Sequence, residues 1–365
     1  MNILVRGAYG ESNFGDDALM YVLESFFIQN GLSSNLVFSS AIDSDYCNKM
    51  LRVAKYENII DVKIDGVDLI VYGGGTQFFA FGKKQSWLGG KIARLRELKL
   101  KDFFKLGNII AVKKYNKQKA AIGIGLGPFN VPEEEMERYK VLARQFHFLA
   151  VRDDVSYKYV SDWGVENPVL GADICFSDYF NVNGKAGLKS GRKKKKIGII
   201  VRDWIHDASG AAYNVPLAEA VKSSDDRFEF VYIVFAPDRD PVWMRELKGQ
   251  KNVLVWNPEK DSIDGFVETM ASFDGFVTAR YHGAVFASLL NKPTVCVEIE
   301  PKLRILTEQV PEFALWKKPF DVATLKKQFD IFETESFDCS ASVQVLKDKS
   351  NEMFRTFHQY VKQTL

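Results

Sequence analysis

The sequence has few of the features that mark several classes of protein. Only four cysteines occur in 365 residues, and Cys47, Cys175, Cys296 and Cys339 lack the spacing of a metal site or a disulfide framework. Such scattered cysteines favour a reducing compartment and buried thiols. The formal net charge is only +2, and no zinc-finger or helix-turn-helix spacing occurs. Nucleic acid is therefore not an expected partner.

Long apolar runs are also missing, since none reaches the roughly 18 residues that a membrane span needs. Residues 1–7 predict a strand that runs into a turn, and not a signal peptide. Basic residues cluster in 113–119 and again in 192–196. Each cluster is interpreted as a solvated surface or linker, or as a contact with an anionic membrane or a phosphorylated substrate. We therefore expect a cytoplasmic protein, either free or peripheral to the inner face of the membrane.

What the sequence does contain predicts an α/β protein with two domains. Apolar residues make up 46% and charged residues 26% of a chain that is longer than one hydrophobic core usually organises. Segments with strand character alternate with segments long enough for crossover helices, which predicts parallel sheets with helices on both faces. Predicted helices include Asp16–Gln29, Ser86–Lys105 and Glu133–Arg144. Strands are predicted at Ile3–Arg6, Leu36–Ser39, Leu69–Tyr72, Ala120–Ile124, Phe148–Val151, Ile197–Val201, Glu229–Phe235, Val253–Val255, Gly275–Thr278 and Thr294–Val297.

Composition also predicts the domain boundary. Residues 184–196 are rich in glycine and lysine and almost free of apolar side chains, and a strand follows at once. We interpret them as a linker between an N-terminal α/β domain at 1–183 and a C-terminal α/β domain at 197–340. Two doubly wound domains would face each other across a cleft at the carboxyl ends of their strands. A C-terminal helix within 341–365 is expected to pack back on the interface.

The most informative segment is Thr278–Ala284, which contains Arg280, Tyr281 and His282. A buried strand is predicted before it and a helix at Val285–Leu290 after it. The arginine and the histidine would lie where a strand ends and a helix begins, which is where open α/β sheets bind ligands. A guanidinium and a helix N-terminus suit a carboxylate or a phosphate. The segment predicts a small-anion site with a titratable group, and a capping and packing arrangement is the structural alternative.

Three glycines within 7–15 lead from the first strand into a helix that Asp16 is predicted to cap. Their spacing matches neither a dinucleotide fingerprint nor a phosphate-binding P-loop. A tight strand-to-helix turn accounts for the glycines. It does not account for the polar pair Asn13 and Asp17, which we predict to bind sugar hydroxyls.

Other predicted strands also end in glycines or cations. Gly73–Thr76 follows a strand, and its consecutive glycines either let a ligand come close or form a structural turn. Arg152 ends another strand, where it either faces the site or pairs with a neighbouring carboxylate. Arg202 ends a strand in the second half of the chain. Lys302 could add a third cation near the anion, or be an exposed lysine at the start of a helix.

Taken in order, these motifs resemble the polysaccharide pyruvyl transferase family. The resemblance extends from residue 3 to about residue 305, and the ordered set is more specific than any one motif. Two positions depart from the family pattern, because Tyr281 stands where leucine is common and Asp17 where glutamate is frequent. The matching segments are Gly7–Ala18, Gly73–Thr76, Val151–Asp153, Gly171–Asp173, Arg280–Gly283, Pro293 and Pro301–Lys302.

The resemblance implies two domains similar to those of B-type glycosyltransferases. It also implies transfer of pyruvate from phosphoenolpyruvate to two hydroxyls of a sugar in a surface glycan or its precursor, forming a cyclic ketal. The family's pattern would place the donor on Arg152, Arg280 and His282, with Tyr281 contributing its backbone and Lys302 a further charge. The N-terminal domain would hold the acceptor. Phosphoenolpyruvate is then a co-substrate, and no cofactor is implied.

This chemistry suggests a role for each candidate residue. Phosphoenolpyruvate carries a carboxylate and a phosphate, so two or three fixed cations are needed. His282 is the candidate general acid for its methylene carbon, because histidine titrates near neutrality. Asp17 or Asp173 could orient or deprotonate the acceptor, and no metal is expected because no dedicated ligand cluster is visible. The residues predicted to bind the acceptor are Asn13, Asp17, Gly74, Gly75 and Thr76.

Two other functions fit the same motifs. A nucleotide-sugar glycosyltransferase of similar architecture would use Arg280 and His282 to clamp a diphosphate. A non-catalytic protein of a glycan-assembly complex would bind a ligand without releasing phosphate. In each case the sugar acceptor, which could be lipid-linked, is expected to meet a loop such as Phe78–Leu88, whose aromatic rings either stack on sugars or pack internally.

Overall fold

The structure, a computed structural model, describes residues 1–80, 117–180, 182, 194–205 and 209–364. These residues form two parallel β-sheets with helices packed against them. The first half contains the strands β1 (Ile3–Arg6), β2 (Leu36–Ser40), β3 (Lys55–Asn58), β4 (Leu69–Gly73), β5 (Thr76–Ala80), β6 (Gln118–Phe129), β7 (Phe148–Val151) and β8 (Val169–Leu170). The second half contains β9 (Lys195–Val201), β10 (Phe228–Val234), β11 (Val253–Val255), β12 (Gly275–Thr278), β13 (Thr294–Val297) and β14 (Ala314–Trp316).

The described helices connect these strands and follow the last of them. In chain order they are α1 (Phe14–Gln29), α2 (Asp45–Met50), α3 (Glu133–Ala143), α4 (Asp154–Asp162), α5 (Ser209–Lys222), α6 (Pro241–Glu246), α7 (Ile263–Ala271), α8 (Tyr281–Leu289), α9 (Pro301–Gln309), α10 (Val322–Gln328) and α11 (Ser340–Thr364). Within the described part of the chain, no helix has an apolar stretch long enough to cross a bilayer.

The strand order of both sheets is that of a doubly wound fold. The first sheet runs β3-β2-β1-β4-β6-β7-β8, with β5 paired to β6, and the second runs β11-β10-β9-β12-β13-β14. Both sheets are parallel, and their central strands β1, β4 and β12 are buried along their whole length because helices cover both faces. The order reverses between β1 and β4 and between β9 and β12, so each sheet has a crevice at that point. The predicted fold class is confirmed.

The predicted helix starts differ from the structure more than the predicted strands do. α1 begins at Phe14, and the Asn13 side chain caps it by accepting a hydrogen bond from the Gly15 amide at 3.3 Å. The prediction that Asp16 caps this helix is therefore wrong. α8 begins at Tyr281, four residues before the predicted Val285, because its first turn forms directly after the extended Arg280.

Some predictions fall on residues outside the described part of the chain. These are the helix Ser86–Lys105, residues 184–193 of the linker and most of the aromatic loop Phe78–Leu88. Within that loop, the ring of Phe78 packs 6.0 Å from the ring of Tyr72. β9 begins at Lys195, so the last two residues of the predicted linker belong to a strand. The structure has two sheets, and the exact limits of the two domains stay a prediction.

The described lysines of the two basic clusters lie against the protein itself. Lys119 is buried, and burial lowers its pKa. The Nζ atoms of Lys117, Lys194 and Lys195 donate to backbone carbonyls at 2.7–2.8 Å. These side chains therefore give no support to the predicted contact with a membrane.

The N-terminus of α1 inserts into the second domain. The Phe14 amide donates to the Phe235 carbonyl at 3.0 Å. The Phe14 ring is buried at centroid distances of 4.5–5.0 Å from four rings of the second domain. These rings belong to Phe235, Trp256, Phe266 and Phe286. A first-domain side chain thus completes an aromatic cluster of its neighbour.

α11 makes the reciprocal connection from the second half of the chain to the first domain. The Phe357 ring lies 5.3 Å from that of Phe148 and 5.5 Å from that of Phe26. The Tyr360 hydroxyl donates to the Gln118 side chain at 3.0 Å. α11 therefore covers part of the first sheet's core.

Candidate active site

Residues from both domains meet in front of the N-terminus of α8. The second domain supplies Tyr281 and His282 from the first turn of this helix, and the first domain supplies Arg152 and Asp173. Thr278 shapes the turn into α8, because its hydroxyl donates to the Arg280 carbonyl at 2.9 Å. The carboxyl end of β12 thus delivers its polar residues to the space between the domains, as the sequence predicts.

Asp173 is the buried centre of this arrangement. Its Oδ2 atom lies 3.3 Å from Nη1 of Arg152 and 3.6 Å from Nε2 of His282, and its Oδ1 accepts from the Cys175 amide at 3.1 Å. Burial would raise the pKa of Asp173, but the contact with His282 and the charge of Arg152 lower it to about 2. Asp173 is therefore an ionised carboxylate that faces one cation and one titratable ring.

The loop that carries Asp173 is held in place by α11. The Ser350 hydroxyl donates to the Asp173 carbonyl at 3.2 Å, and the Asp178 amide donates to the Asn351 side chain at 2.9 Å. A Cβ atom on Gly171 would lie 2.4 Å from Sδ of Met353, so the loop and the helix are in close contact. Nothing in the sequence marked Ser350 as part of the site, because α11 lies outside the recognised motifs.

Arg152 is 2% exposed, and its guanidinium contacts several neighbours although its buried Nε has no hydrogen-bond partner among the described residues. Besides Asp173, its guanidinium donates to the Thr76 hydroxyl at 3.0 Å and lies 3.6 Å from the carboxylate of Asp153. Burial would lower its pKa, but Tyr281, Asp173 and Asp153 raise it above the ordinary value. The salt-bridge alternative for Arg152 is thus present in the structure, and its positive charge nevertheless lies within the site.

Arg280 is also a buried and paired cation. Its Nη2 donates to the carboxylate of Asp240, which has no exposed surface, and its Nε donates to the Val201 carbonyl at 3.1 Å. Its side chain is only 9% exposed. Both arginines that the sequence predicts for the donor therefore lie beneath the surface of the site.

His282 lies close to the N-terminus of α1. A Cβ atom on Gly15 would come within 2.3 Å of its Nδ1, so the glycine is required for this approach. Among the described residues, its buried Nε2 atom has no hydrogen-bond partner within normal distance and points toward Asp173 at 3.6 Å. The ring is thus fixed between the first turn of α1 and a carboxylate.

Tyr281 contacts cations from both domains. Its ring lies 4.0 Å from Cζ of Arg152 and 5.8 Å from Nζ of Lys302. Both distances fall within the range of a cation–π contact. The side chain at this departure from the family pattern therefore packs between cations of the two domains.

Lys302 lies at the more open edge of the site. Its Nζ is 3.0 Å from Oε1 of Glu300, and Nη1 of Arg202 contacts the same oxygen. The side chains of Lys302 and Arg202 are 25% and 20% exposed, whereas Glu300 is buried. Burial and the charges of Arg202 and Arg152 lower the pKa of Lys302 to about 8, although Glu300 opposes this change. Sequence reasoning placed Arg202 at a strand end without assigning it to the site, and missed Glu300.

The residues predicted for the acceptor have structural contacts of their own. Asn13 caps α1, and Thr76 accepts from Arg152. Gly74 and Gly75 turn from β4 into β5 with φ values of +66° and +72°. Asp17 is 1% exposed at the domain junction, where it accepts from the Trp256 indole at 2.8 Å and the Tyr46 hydroxyl at 3.0 Å. These contacts account for Asn13 and Asp17 without a sugar.

Asp173, Cys175 and His282 also place three possible ligand atoms within 4.8 Å of one another. A cation there would lie beside the Arg152 guanidinium, which already contacts Asp173. Burial, followed by the charge of Asp173, raises the pKa of the Cys175 thiol well above its ordinary value, and a protonated thiol is a poor ligand. The donor set therefore fits a metal ion poorly.

The fold is similar to those of solved structures of carbohydrate enzymes. UDP-GlcNAc 2-epimerase from Methanocaldococcus jannaschii matches with a TM-score of 0.61 and 11% identity, covering 98% of this chain and 99% of that one. The S. aureus MnaA–UDP structure matches with a TM-score of 0.60 and 10% identity, covering 99% and 96%. A glycosyltransferase from Rickettsia africae matches with a TM-score of 0.57 and 11% identity, covering 100% and 98%. At these identities the likeness shows the fold alone, which is that of B-type glycosyltransferases.

No protein with curated annotation matches the chain significantly. The sequence profile of one family, described as polysaccharide pyruvyl transferase, matches residues 13–301. This range includes the strands from β2 to β13 and contains the first turn of α1, Arg152, Asp173 and the start of α8. The chain belongs to the polysaccharide pyruvyl transferase family.

Proposed function

We propose that this protein transfers pyruvate from phosphoenolpyruvate to two hydroxyls of a sugar, forming a cyclic ketal on a surface glycan or its lipid-linked precursor. The observation that carries the proposal is the convergence of Arg152, His282 and Lys302 around Tyr281 at the meeting of the two domains. Phosphoenolpyruvate carries a phosphate and a carboxylate, and these groups suit a site with several fixed cations beside one titratable ring. Family membership supports the same reaction class.

The proposed donor lies against the more exposed side chains of the site. Lys302 and His282 meet it directly, while the buried Arg152 and Arg280 add positive charge from beneath. Buried charges act through a medium of lower effective dielectric than water, so their field at the donor is weakly screened. Arg152 and Arg280 therefore stay in the proposal as donor-binding residues, although each has a carboxylate partner.

His282 is the proposed general acid. It protonates the methylene carbon of phosphoenolpyruvate, which leaves an electron-poor centre at the neighbouring carbon. One sugar hydroxyl attacks that centre, phosphate leaves, and the second hydroxyl closes the ketal. Of the two protons lost from the hydroxyls, one returns to the imidazole and one leaves with the phosphate, so the products are the pyruvyl ketal and hydrogen phosphate.

Asp173 supports this role of His282. As an ionised carboxylate 3.6 Å from Nε2, it faces the imidazole and helps to fix the position of the ring. Because its pKa is lowered and it is buried, Asp173 is a weak base that the acceptor does not reach. The geometry thus favours a positioning and electrostatic role for Asp173 over the predicted role as acceptor base.

A nucleotide-sugar glycosyltransferase is the alternative function, and the solved structures of similar fold include a glycosyltransferase and a complex with UDP. The two functions differ in their ligands. A pyruvyl transferase binds phosphoenolpyruvate, whereas the alternative binds a sugar nucleotide and not phosphoenolpyruvate.

Isothermal titration of the protein with phosphoenolpyruvate and with a panel of sugar nucleotides separates these functions. We expect phosphoenolpyruvate to bind, and Lys302→Gln to weaken it about 10- to 150-fold, since a charged hydrogen bond contributes about 1.5–3 kcal/mol. Lys327→Gln, at an exposed lysine of α10, is the matched control and should leave the affinity unchanged. Binding of a sugar nucleotide without phosphoenolpyruvate would refute pyruvyl transfer.

A further inference from the structure

Arg202 lies at the topological switch point of the second sheet. It directly follows β9, which is paired in parallel with β12 through Ile200 and Thr278. Arg202 and Arg280 therefore stand at the same level, each two residues beyond this pair, on the two strands between which the strand order reverses. Ligands of open α/β sheets bind at this position.

The two neighbouring arginines differ in what their guanidinium groups contact. Arg280 is held by the buried carboxylate of Asp240 and a backbone carbonyl, and its side chain is largely hidden. Among the described residues, the guanidinium of Arg202 makes one hydrogen bond, from Nη1 to Glu300. The Arg202 side chain is 20% exposed, about twice the exposed fraction of the Arg280 side chain.

The backbone of Arg202 and the plane of its guanidinium group are held by neighbouring residues. The Arg202 amide donates to the Tyr213 hydroxyl at 3.1 Å, and this hydroxyl donates back to the Arg202 carbonyl at 2.6 Å. The guanidinium lies 4.8 Å from the centroid of the Trp204 ring. An arginine held in this way has lost much of its side-chain freedom before a ligand arrives, which favours binding.

Glu300 joins Arg202 to Lys302. One oxygen of its carboxylate contacts both cations, so a single negative charge is shared by two positive ones. Burial would raise the pKa of Glu300, but Arg202 and Lys302 lower it, so it stays ionised. The pair keeps a net positive charge at the accessible edge of the site, with the buried Arg152 close enough to add to it.

We propose that Arg202 and Lys302 together bind the phosphate group of a phosphate monoester, and that Glu300 is the positioning residue that holds the two cations side by side. The planar fork of Arg202 can donate to two phosphate oxygens while Lys302 supplies a point charge to the third. This inference rests on the proposed function in one respect, namely that the monoester is phosphoenolpyruvate. Arg202 then contacts the group that leaves during the reaction.

The test uses inorganic phosphate and phosphoenolpyruvate as probes, titrated into the full-length protein. Arg202→Gln should weaken binding of both probes at least tenfold, and Arg202→Lys should fall between this variant and the wild type because it keeps the charge and loses the fork. Arg304→Gln is the matched control. Arg304 lies on the same helix as Lys302, is 54% exposed, and pairs with Glu298 instead of Glu300.

The outcomes separate this inference from the proposed function. Binding of phosphoenolpyruvate that Arg202→Gln leaves unchanged would overturn the role of Arg202 and keep the function. Inorganic phosphate that binds through Arg202 without any binding of phosphoenolpyruvate would keep the phosphate site and overturn the function. A wild-type protein that binds neither probe would overturn both. Circular dichroism spectra and melting temperatures of the variants identify any loss of affinity that comes from misfolding.

Discussion

Asp17 lies where the two domains meet, and its carboxylate is almost wholly removed from water. Burial raises its pKa to about 7, and the hydrogen bonds from Trp256 and Tyr46 only partly oppose this change. The folded protein therefore holds a proton on Asp17 at pH values where the unfolded chain, with an ordinary pKa of 3.8, has lost it. The contribution of Asp17 to the free energy of unfolding thus falls as the pH rises from about 4 to about 7.

Asp17→Asn should remove this dependence. The amide keeps an oxygen for the Trp256 indole and carries no titratable proton, so the unfolding free energy of the variant should decline less between pH 4 and pH 7. Each unit of pKa difference corresponds to about 1.4 kcal/mol, which makes the difference between the proteins measurable by urea denaturation. Parallel pH profiles for the two proteins would show that Asp17 is ionised throughout this range.

At the residue scale, the sequence indicated which cations lie near the site but not how they are paired. Arg152 and Arg280 each follow a strand, and this position was readable from the hydrophobic pattern. Their carboxylate partners Asp173 and Asp240 come from distant parts of the chain, and only the folded sheets bring them within bonding distance. The role of Arg202 was hidden for the same reason. Only the folded protein shows that Arg280 pairs with Asp240, whereas Arg202 pairs with Glu300 and stays more exposed.

At the scale of elements, α11 follows the strands of the second sheet in the chain but packs on the first domain. Its buried side chains Met353, Phe354 and Phe357 pack on the first domain, and its Ser350 holds the Asp173 loop. Burial of such a ring typically stabilises a protein by about 3–5 kcal/mol relative to alanine. α11 is therefore part of the core on which β7 and the Asp173 loop rest.

Phe357→Ala should loosen the first domain more than the second. We expect amide hydrogen exchange in β7, which lies under Phe357, to accelerate more than exchange in β14. Val345→Ala, at an exposed position of the same helix, is the matched control and should leave both strands unchanged. Equal acceleration in β7 and β14 would show that the helix stabilises the whole molecule without a local role.

The predicted elements agree with the structure where the physical signal is local. Buried and largely apolar strands such as β7 and β12 were predicted at their observed residues, because strands covered on both faces have few polar positions. The start of α1 was misplaced because both Asn13 and Asp16 are good capping residues, and the sequence alone does not show which one is extended. The start of α8 was misplaced because its first turn is polar.

At the scale of the whole molecule, two connections in opposite directions join the domains. Phe14 enters the aromatic cluster of the second domain, and α11 returns to the first. The sequence predicted that a C-terminal helix packs back on the interface. Hydrophobic periodicity identifies buried residues without naming their partners, so it indicated neither the contacts of this helix nor the insertion of Phe14. Composition and the alternation of strands with helices predicted two facing domains, whereas they did not indicate how strongly the domains are coupled.

Because the domains share buried residues, they should unfold together. We expect one thermal transition whose calorimetric enthalpy equals its van't Hoff enthalpy. Phe14→Ala should split or broaden this transition, so that the calorimetric enthalpy exceeds the van't Hoff enthalpy. Phe228→Ala is the control. It removes a buried ring whose ring contacts, within the described part of the chain, all lie in the second domain, so it should lower the melting temperature of a single transition. Two transitions in the wild type would contradict the expected coupling.

The contact between α11 and the first sheet also constrains how the chain folds during its synthesis. Phe26 and Phe148 emerge from the ribosome long before the helix that covers them. At about 5–20 residues per second, the interval between Phe148 and α11 lasts on the order of ten seconds or longer. During that time the first domain lacks the helix that covers Phe26 and Phe148 in the folded protein. The half of the protein that is made first is therefore the half that finishes folding last.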